Sequence, residues 1–160
     1  KCAQRTPHRM MKDWPASGSQ ARVAHMTGGD FYGSETSTTM TAAGDVRIEF
    51  VGADGAATEL KDKVSLLEGE VVDTSTMNVA ALRAFFAEQM AAAKADGTLL
   101  SLHLKATMMK ISDPIMFGHA VSVYFKDALE KHAATLDGIG ANMNNGLAGV
   151  IENNLKGWLD

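Results

Sequence analysis

The hydrophobic pattern of this chain changes period at Asp73, and that change limits what it can fold into. Between Asp45 and Asp73 apolar residues recur at every second position; from Thr74 to about Ala95 they recur at every third and fourth. From Asp45 to Gly52, Val46, Ile48 and Phe50 point one way while Arg47, Glu49 and Val51 point the other, as in a strand with one face covered. Ala53-Asp54-Gly55 follows, and Asp-Gly between two alternating runs favours a hairpin turn because such turns need positive φ. The spacing predicts a returning strand over Ala57 to Val64 and a third short strand over Glu70 to Asp73.

Beyond Asp73, Thr74-Ser75-Thr76 offers capping hydroxyls, and Leu82, Phe85, Phe86 and Met90 recur at helical spacing in an alanine-rich run. A helix to about Ala95 is predicted, closed by Gly97. Leu99 to Lys105 alternates again, with Leu100, Leu102 and Leu104 on one face and Ser101, His103 and Lys105 on the other. Ser112-Asp113-Pro114 predicts an N-cap with proline at the first helical position. The helix after it runs to about Leu136, with Phe117, Val121, Tyr124, Phe125, Ala128 and Leu136 as its apolar stripe. Asp137 to Gly146 reads as a Gly/Asn loop. Leu147 to Trp158 reads as a terminal helix with Leu147, Val150, Ile151, Leu155 and Trp158 inward.

The expected class is α/β with mixed α+β features: residues 1–44 irregular apart from extended pieces near Arg22 to Met26 and Ser37 to Thr41, 45–73 strands and hairpin, and 74–160 helix, strand, helix, helix. Whether 160 residues make one domain or part of a larger one stays open, although 46% hydrophobic content is enough for a core.

Charge narrows the partners. Fifteen Lys and Arg against nineteen Asp and Glu give −4, which offers no general attraction to nucleic acid or anionic lipid. Cys2 is the only cysteine, so no internal disulfide and no cysteine-rich zinc site can form, and no apolar run is long enough to cross a membrane. These features predict a cytoplasmic protein with no nucleic-acid or membrane partner. The chain opens on Lys1 rather than Met, which suggests a piece of something longer.

Few residues advertise chemistry. Lys105 closes the Leu99 to Lys105 run, and an amine at such a position can bind an oxyanion or act as a base, although by its residue chemistry alone a solvent-facing lysine is the plainer reading; Lys110 reads as a loop lysine. Gly28-Gly29-Asp30-Phe31-Tyr32-Gly33-Ser34-Glu35 has neither dinucleotide-loop nor phosphate-loop spacing and is read as a structural turn, and Gly138-Ile139-Gly140 fails the same test. His8, His25, His103, His119 and His132 contain no metal-binding pair spacing. Asp30, Glu35 and Asp113 set no close carboxylate pair by sequence, Met10-Met11 and Met108-Met109 suit gap filling, and Ser34 and Ser101 show no nucleophile elbow.

Longer strings say more. Leu104-Lys105-Ala106-Thr107-Met108-Met109-Lys110, Ser112-Asp113-Pro114 and Phe117-Gly118-His119-Ala120-Val121 stand downstream of His25-Met26 and Gly29 to Glu35. With the Asp54-Gly55 hairpin, Leu82-Arg83-Ala84-Phe85 and Asn144-Asn145-Gly146-Leu147, they resemble the monomeric type of NADP-dependent isocitrate dehydrogenase from about Pro7 to Leu147. Family members are several times longer, so the resemblance implies an internal portion of an isocitrate/isopropylmalate dehydrogenase-like fold. It implies oxidative decarboxylation of isocitrate to 2-oxoglutarate, a tricarboxylic acid cycle reaction, with NADP as hydride acceptor and Mg or Mn as Lewis acid. Only Lys105 falls on a catalytic position of the family, where a lysine contacts the substrate near its hydroxyl and takes part in proton transfer. Tyr32 and Tyr124 do not stand in the context of the family's catalytic tyrosine, and no metal or NADP is expected on this portion alone. Its isolated activity should therefore be nil; the alternative is a non-catalytic binding or self-associating module derived from the enzyme.

Overall fold

The computed structural model describes residues 2–6, 16–104 and 111–156. In chain order they form α1 (Cys2–Arg5), α2 (Phe31–Ser34), β1 (Thr36–Thr39), β2 (Gly44–Val51), β3 (Ala57–Leu66), β4 (Val71–Thr74), α3 (Val79–Asp96), α4 (Ser112–Tyr124), α5 (Lys126–Lys131), α6 (Ala133–Gly138), a 3-10 turn (Met143–Asn145) and α7 (Gly146–Lys156). They divide into two compact units, one of Met26–Ala84 and one drawn from Lys1–His25 and Phe85–Asp160.

The first unit is built on backbone ladders. The hairpin forms at Asp54-Gly55: Gly55 takes φ +80°, Gly52 N donates to Ala56 O at 2.9 Å, and Ala56 N donates to the Asp54 carboxylate at 3.0 Å. β2 and β3 pair antiparallel from Gly44↔Leu66 to Val51↔Ala57. The register slips on both sides of Ile48, where Val46 to Glu49 of β2 spans Val64 to Glu59 of β3, so β3 carries the extra residues as bulges. Asp45 binds Lys63 at 2.8 Å and Ser65 Oγ at 2.7 Å, and Arg47 binds Glu49 at 2.9 Å.

The third strand exists but belongs to a different sheet. β4 pairs with β1, from Thr36↔Thr74 to Thr39↔Val71, and the ladder continues as Met40 N to Glu70 O and Gly69 N to Met40 O. Thr36 and Thr74 share a hydroxyl bond at 3.0 Å. β1 thus finds its partner some 35 positions away, across the whole hairpin, which a local period cannot announce.

The cap of α3 also differs from the expectation. Thr74 is engaged with Thr36, and the Thr76 backbone is bound on both sides by Ser34 Oγ, which donates to Thr76 O at 2.8 Å and accepts from Thr76 N at 2.9 Å. Capping passes to Asn78, whose Oδ1 accepts from Ala81 N at 2.9 Å. α3 then closes as the sequence predicts, with Gly97 at φ +64° and Thr98 N returning to Ala93 O. Its buried residues are Leu82, Phe86 and Ala93.

The strand predicted over Leu99 to Lys105 does not appear in residues 99–104, which have no ladder partner; Lys105 lies outside the described residues. Alternation assigns faces to a chain but supplies no neighbour, and an unpaired segment is not a strand. The helix, strand, helix order expected beyond Thr74 therefore lacks its strand in residues 99–104, whereas the mixed α and β character holds: both sheets among the described residues are two-stranded and antiparallel.

In the second unit, the long helix expected to Leu136 is a run of three segments, α4 to α6, relaxed at Phe125 and His132. Helical bonds still bridge both points, as Leu129 N to Phe125 O and Leu136 N to His132 O. Its N-cap is Ile111, which makes no side-chain cap bond, so Ser112 is the first helical residue and Pro114 the third. Proline is tolerated there because the first-turn N–H groups have no helical acceptor. The Gly/Asn loop contains an ordered 3-10 turn, where Asn142 Oδ1 accepts from Asn144 N at 2.9 Å.

Candidate functional site

Between α3 and α4 runs the stretch that sequence alone marks for chemistry. Lys105, the one predicted catalytic residue, and Lys110 lie outside the described residues; what the structure shows is the chain on either side. Upstream, Ser101 Oγ and His103 Nε2 are 2.7 Å apart and both side chains are exposed. Side chains two positions apart meet only when they leave the backbone on the same side, so the predicted facing of these two holds even without a strand. Downstream, Asp113 stands in the first turn of α4.

The family-marking strings beyond this point are brought together by close backbone approach. A Cβ on Gly118 of α4 would lie 2.1 Å from Asn144 Oδ1 and 3.0 Å from Asn144 N, so only glycine admits the 3-10 turn against this helix. Gly146 (φ +72°) starts α7 with its α-carbon against the Phe117 ring: a Cβ there would sit 3.2 Å from Cε1. Around this junction Ala120, Val121 and Val150 are buried, and Ser122 Oγ donates to Gly118 O at 2.7 Å. The predicted stripes shift in consequence. α4 buries Gly118, Ala120 and Val121, whereas Phe117 and Tyr124 remain exposed; α7 buries Val150, whereas Leu147 and Ile151 are exposed, and the Leu155 and Trp158 side chains lie outside the described residues. Where backbones approach this closely, the small face goes inside.

The upstream string His25 to Glu35 contains a structural turn in the other unit, as its spacing predicts. Asp30 caps α2 by accepting from Gly33 N at 3.2 Å, Gly29 at φ +72° leaves its carbonyl to accept from Asn78 N at 2.7 Å, and a Cβ on Gly29 would meet Asn78 and Ala81 at 3.1 Å. Tyr32 projects into solvent. One relation escaped the sequence: Glu35 shares a hydrogen bond with Asp73, and this bond, reinforced by the repulsion between the two carboxylates, raises the Glu35 pKa. Its origin is the β1–β4 register, which places Asp73 opposite Ser37, two residues beyond Glu35, a pairing no local pattern in the sequence announces.

Among the described residues no three of His, Cys, Asp and Glu converge to hold a metal ion, so the donor set present does not fit Mg or Mn. The described loops likewise contain no glycine-rich dinucleotide motif between strand and helix. No described helix is long and apolar enough to cross a membrane.

The strings that meet in these clusters recur in known proteins. The family model for monomeric isocitrate dehydrogenase matches residues 1–157, extending past the resemblance at both ends. The chain is 52% identical over 145 residues to the NADP isocitrate dehydrogenase of Azotobacter vinelandii, covering 91% of this chain and 19% of that protein. It is 51% identical over 148 residues to NADP isocitrate dehydrogenase 2 of Colwellia maris (92% and 20%), and 49% identical over 145 residues to the Corynebacterium glutamicum enzyme (91% and 19%). It thus spans about one fifth of the length of these curated relatives. With half its residues shared along almost its entire length, the chain belongs to the monomeric isocitrate dehydrogenase family.

Proposed function

We propose that this chain is one part of an NADP-dependent isocitrate dehydrogenase, in which Lys105 works at the substrate hydroxyl. The observation that carries the reading is near-complete coverage of the chain at about half identity by enzymes named for that activity. When bound, NADP would accept the hydride of the hydroxyl-bearing carbon; the hydroxyl proton must also leave, and the carboxylate on the adjacent carbon is lost as carbon dioxide with a proton taking its place. Of the residues here, Lys105 is the candidate to handle the hydroxyl proton: an amine beside a substrate oxyanion can accept or return it when its surroundings tune its charge. Mg or Mn and NADP are assigned no described residues of this chain. The net charge of −4 gives no general attraction to nucleic acid or to an anionic membrane surface, which supports a reading with neither as partner.

Lys105→Met in the full-length enzyme is expected to lower turnover about 10²-fold or more, the usual contribution of a proton-transfer group. A near-normal rate would return Lys105 to the role of a solvent-facing lysine. This chain alone, given isocitrate, NADP and Mn, is expected to reduce no cofactor in a spectrophotometric assay.

A second reading, self-association of the isolated chain, rests on the exposed apolar residues of the β2–β3 hairpin, Ile48, Phe50 and Leu60. Sedimentation showing only monomer at high concentration would remove it.

A further inference from the structure

Asn145-Gly146 is the only place in the chain where glycine follows asparagine. That order matters chemically, because asparagine is a labile side chain and a following glycine has no Cβ to keep its backbone nitrogen from the carboxamide carbon. The structure separates the two reacting groups. The Asn145 side chain is exposed, so water reaches its carboxamide, whereas Gly146 is buried and its N–H donates to Met143 O. Three contacts hold that arrangement. Asn145 N donates to Asn142 O at 3.0 Å; a Cβ on Gly149 would lie 2.8 Å from Asn145 Cβ, so the asparagine stem is seated on the first turn of α7; and the α-carbon of Gly146 backs onto the Phe117 ring.

We infer that Asn145 is a deamidation site gated by the junction of α4, the 3-10 turn and α7. With the junction open, the Gly146 nitrogen loses its proton and bonds to Asn145 Cγ, ammonia leaves, and a cyclic succinimide closes. Water then opens that ring at one carbonyl or the other, giving aspartate or isoaspartate. With the junction closed, the N–H that must be lost is engaged by Met143 O, so the rate follows the population of the open state. The isoaspartate product has an additional main-chain carbon, which a turn packed this closely against Gly118 does not accommodate, so the modification works against reclosure.

The test follows Asn145 in the full-length enzyme by peptide mapping with mass spectrometry during incubation at mildly alkaline pH. The native enzyme is expected to convert Asn145 about tenfold or more slowly than the same enzyme unfolded in urea. Gly118→Ala places a Cβ against Asn144 and is expected to raise the native rate about tenfold, while Asn78, in the other unit, keeps its own rate. Where that variant does not fold, urea below the unfolding transition replaces it: conversion of Asn145 and hydrogen exchange of the Gly146 amide should rise together. The gate is overturned by equal rates in native and unfolded enzyme, by a folded Gly118→Ala variant that converts no faster than its parent, or by exchange that rises without conversion. Absence of aspartate and isoaspartate at position 145 in the unfolded enzyme overturns the site itself.

Discussion

Phe50 and Phe86 are the same residue placed under opposite constraints. Phe50 sits in the β2–β3 ribbon at 61% exposure; Phe86 sits midway along α3 at 6%. The ribbon is held by its backbone ladder, the Asp54-Gly55 turn and exposed ion pairs, and it leaves apolar side chains in water. The helical unit instead closes around small residues, with Gly118 beneath Asn144 and Gly146 beside Phe117. Hydrogen-bond ladders fix geometry at modest net gain, whereas close apolar packing makes a site intolerant of both smaller and larger side chains.

The largest effect should come from that contrast. Phe86→Ala is expected to cost about 3–5 kcal/mol, the usual range for emptying a buried aromatic site, while Phe50→Ala costs under about 0.5 kcal/mol as a surface change. Denaturant midpoints of the two variants check this, and equal losses would mean that Phe50 is covered in solution. Next, Gly118→Ala is expected to cost about 1–3 kcal/mol by forcing the 3-10 turn away from α4, with the loss read from the amide signals of Asn144 and Val150. An unchanged spectrum would show that this junction is looser than its distances.

The smallest effects are electrostatic and belong to the ladder unit. Lys63 and Ser65 hold the Asp45 carboxyl below its ordinary 3.8, so its contribution is complete above that value and disappears as pH falls through the lowered folded value. Glu35 has the opposite sign. Asp73 raises it above its ordinary 4.5, so the folded state gains from the shared proton at acid pH and loses that gain as pH rises through the raised value. Titrating the two side-chain carboxyls by NMR should show midpoints displaced in opposite directions. Glu35→Gln should remove the second dependence and leave the first intact.

Much of the turn and helix-end chemistry is local and was legible. Asp54-Gly55 demanded its turn because the φ requirement belongs to those residues themselves, and Gly97 ended α3 for the same reason. The Gly29 to Glu35 segment was recognisable as structural because no phosphate-loop spacing was present. Around Lys105 the sequence marked a string of residues, and alternation placed Ser101 and His103 on one face of it. Their hydrogen bond was not legible, since facing follows from alternation but distance follows from rotamers.

By itself the sequence determined the β2–β3 hairpin and the helix α3 after the strands, the turn and end signals at Gly55 and Gly97, and membership of a family whose members share half its residues. Only the tertiary structure decided which strand pairs with which, which residue caps α3, and which face of α4 is buried. β1 pairs with β4 across the intervening hairpin, Asn78 caps because Thr74 and Thr76 are already engaged, and Gly118 turns inward because Asn144 comes to lie on it. Each of these outcomes depends on a partner distant in the chain, and periodicity within one segment contains no information about that partner.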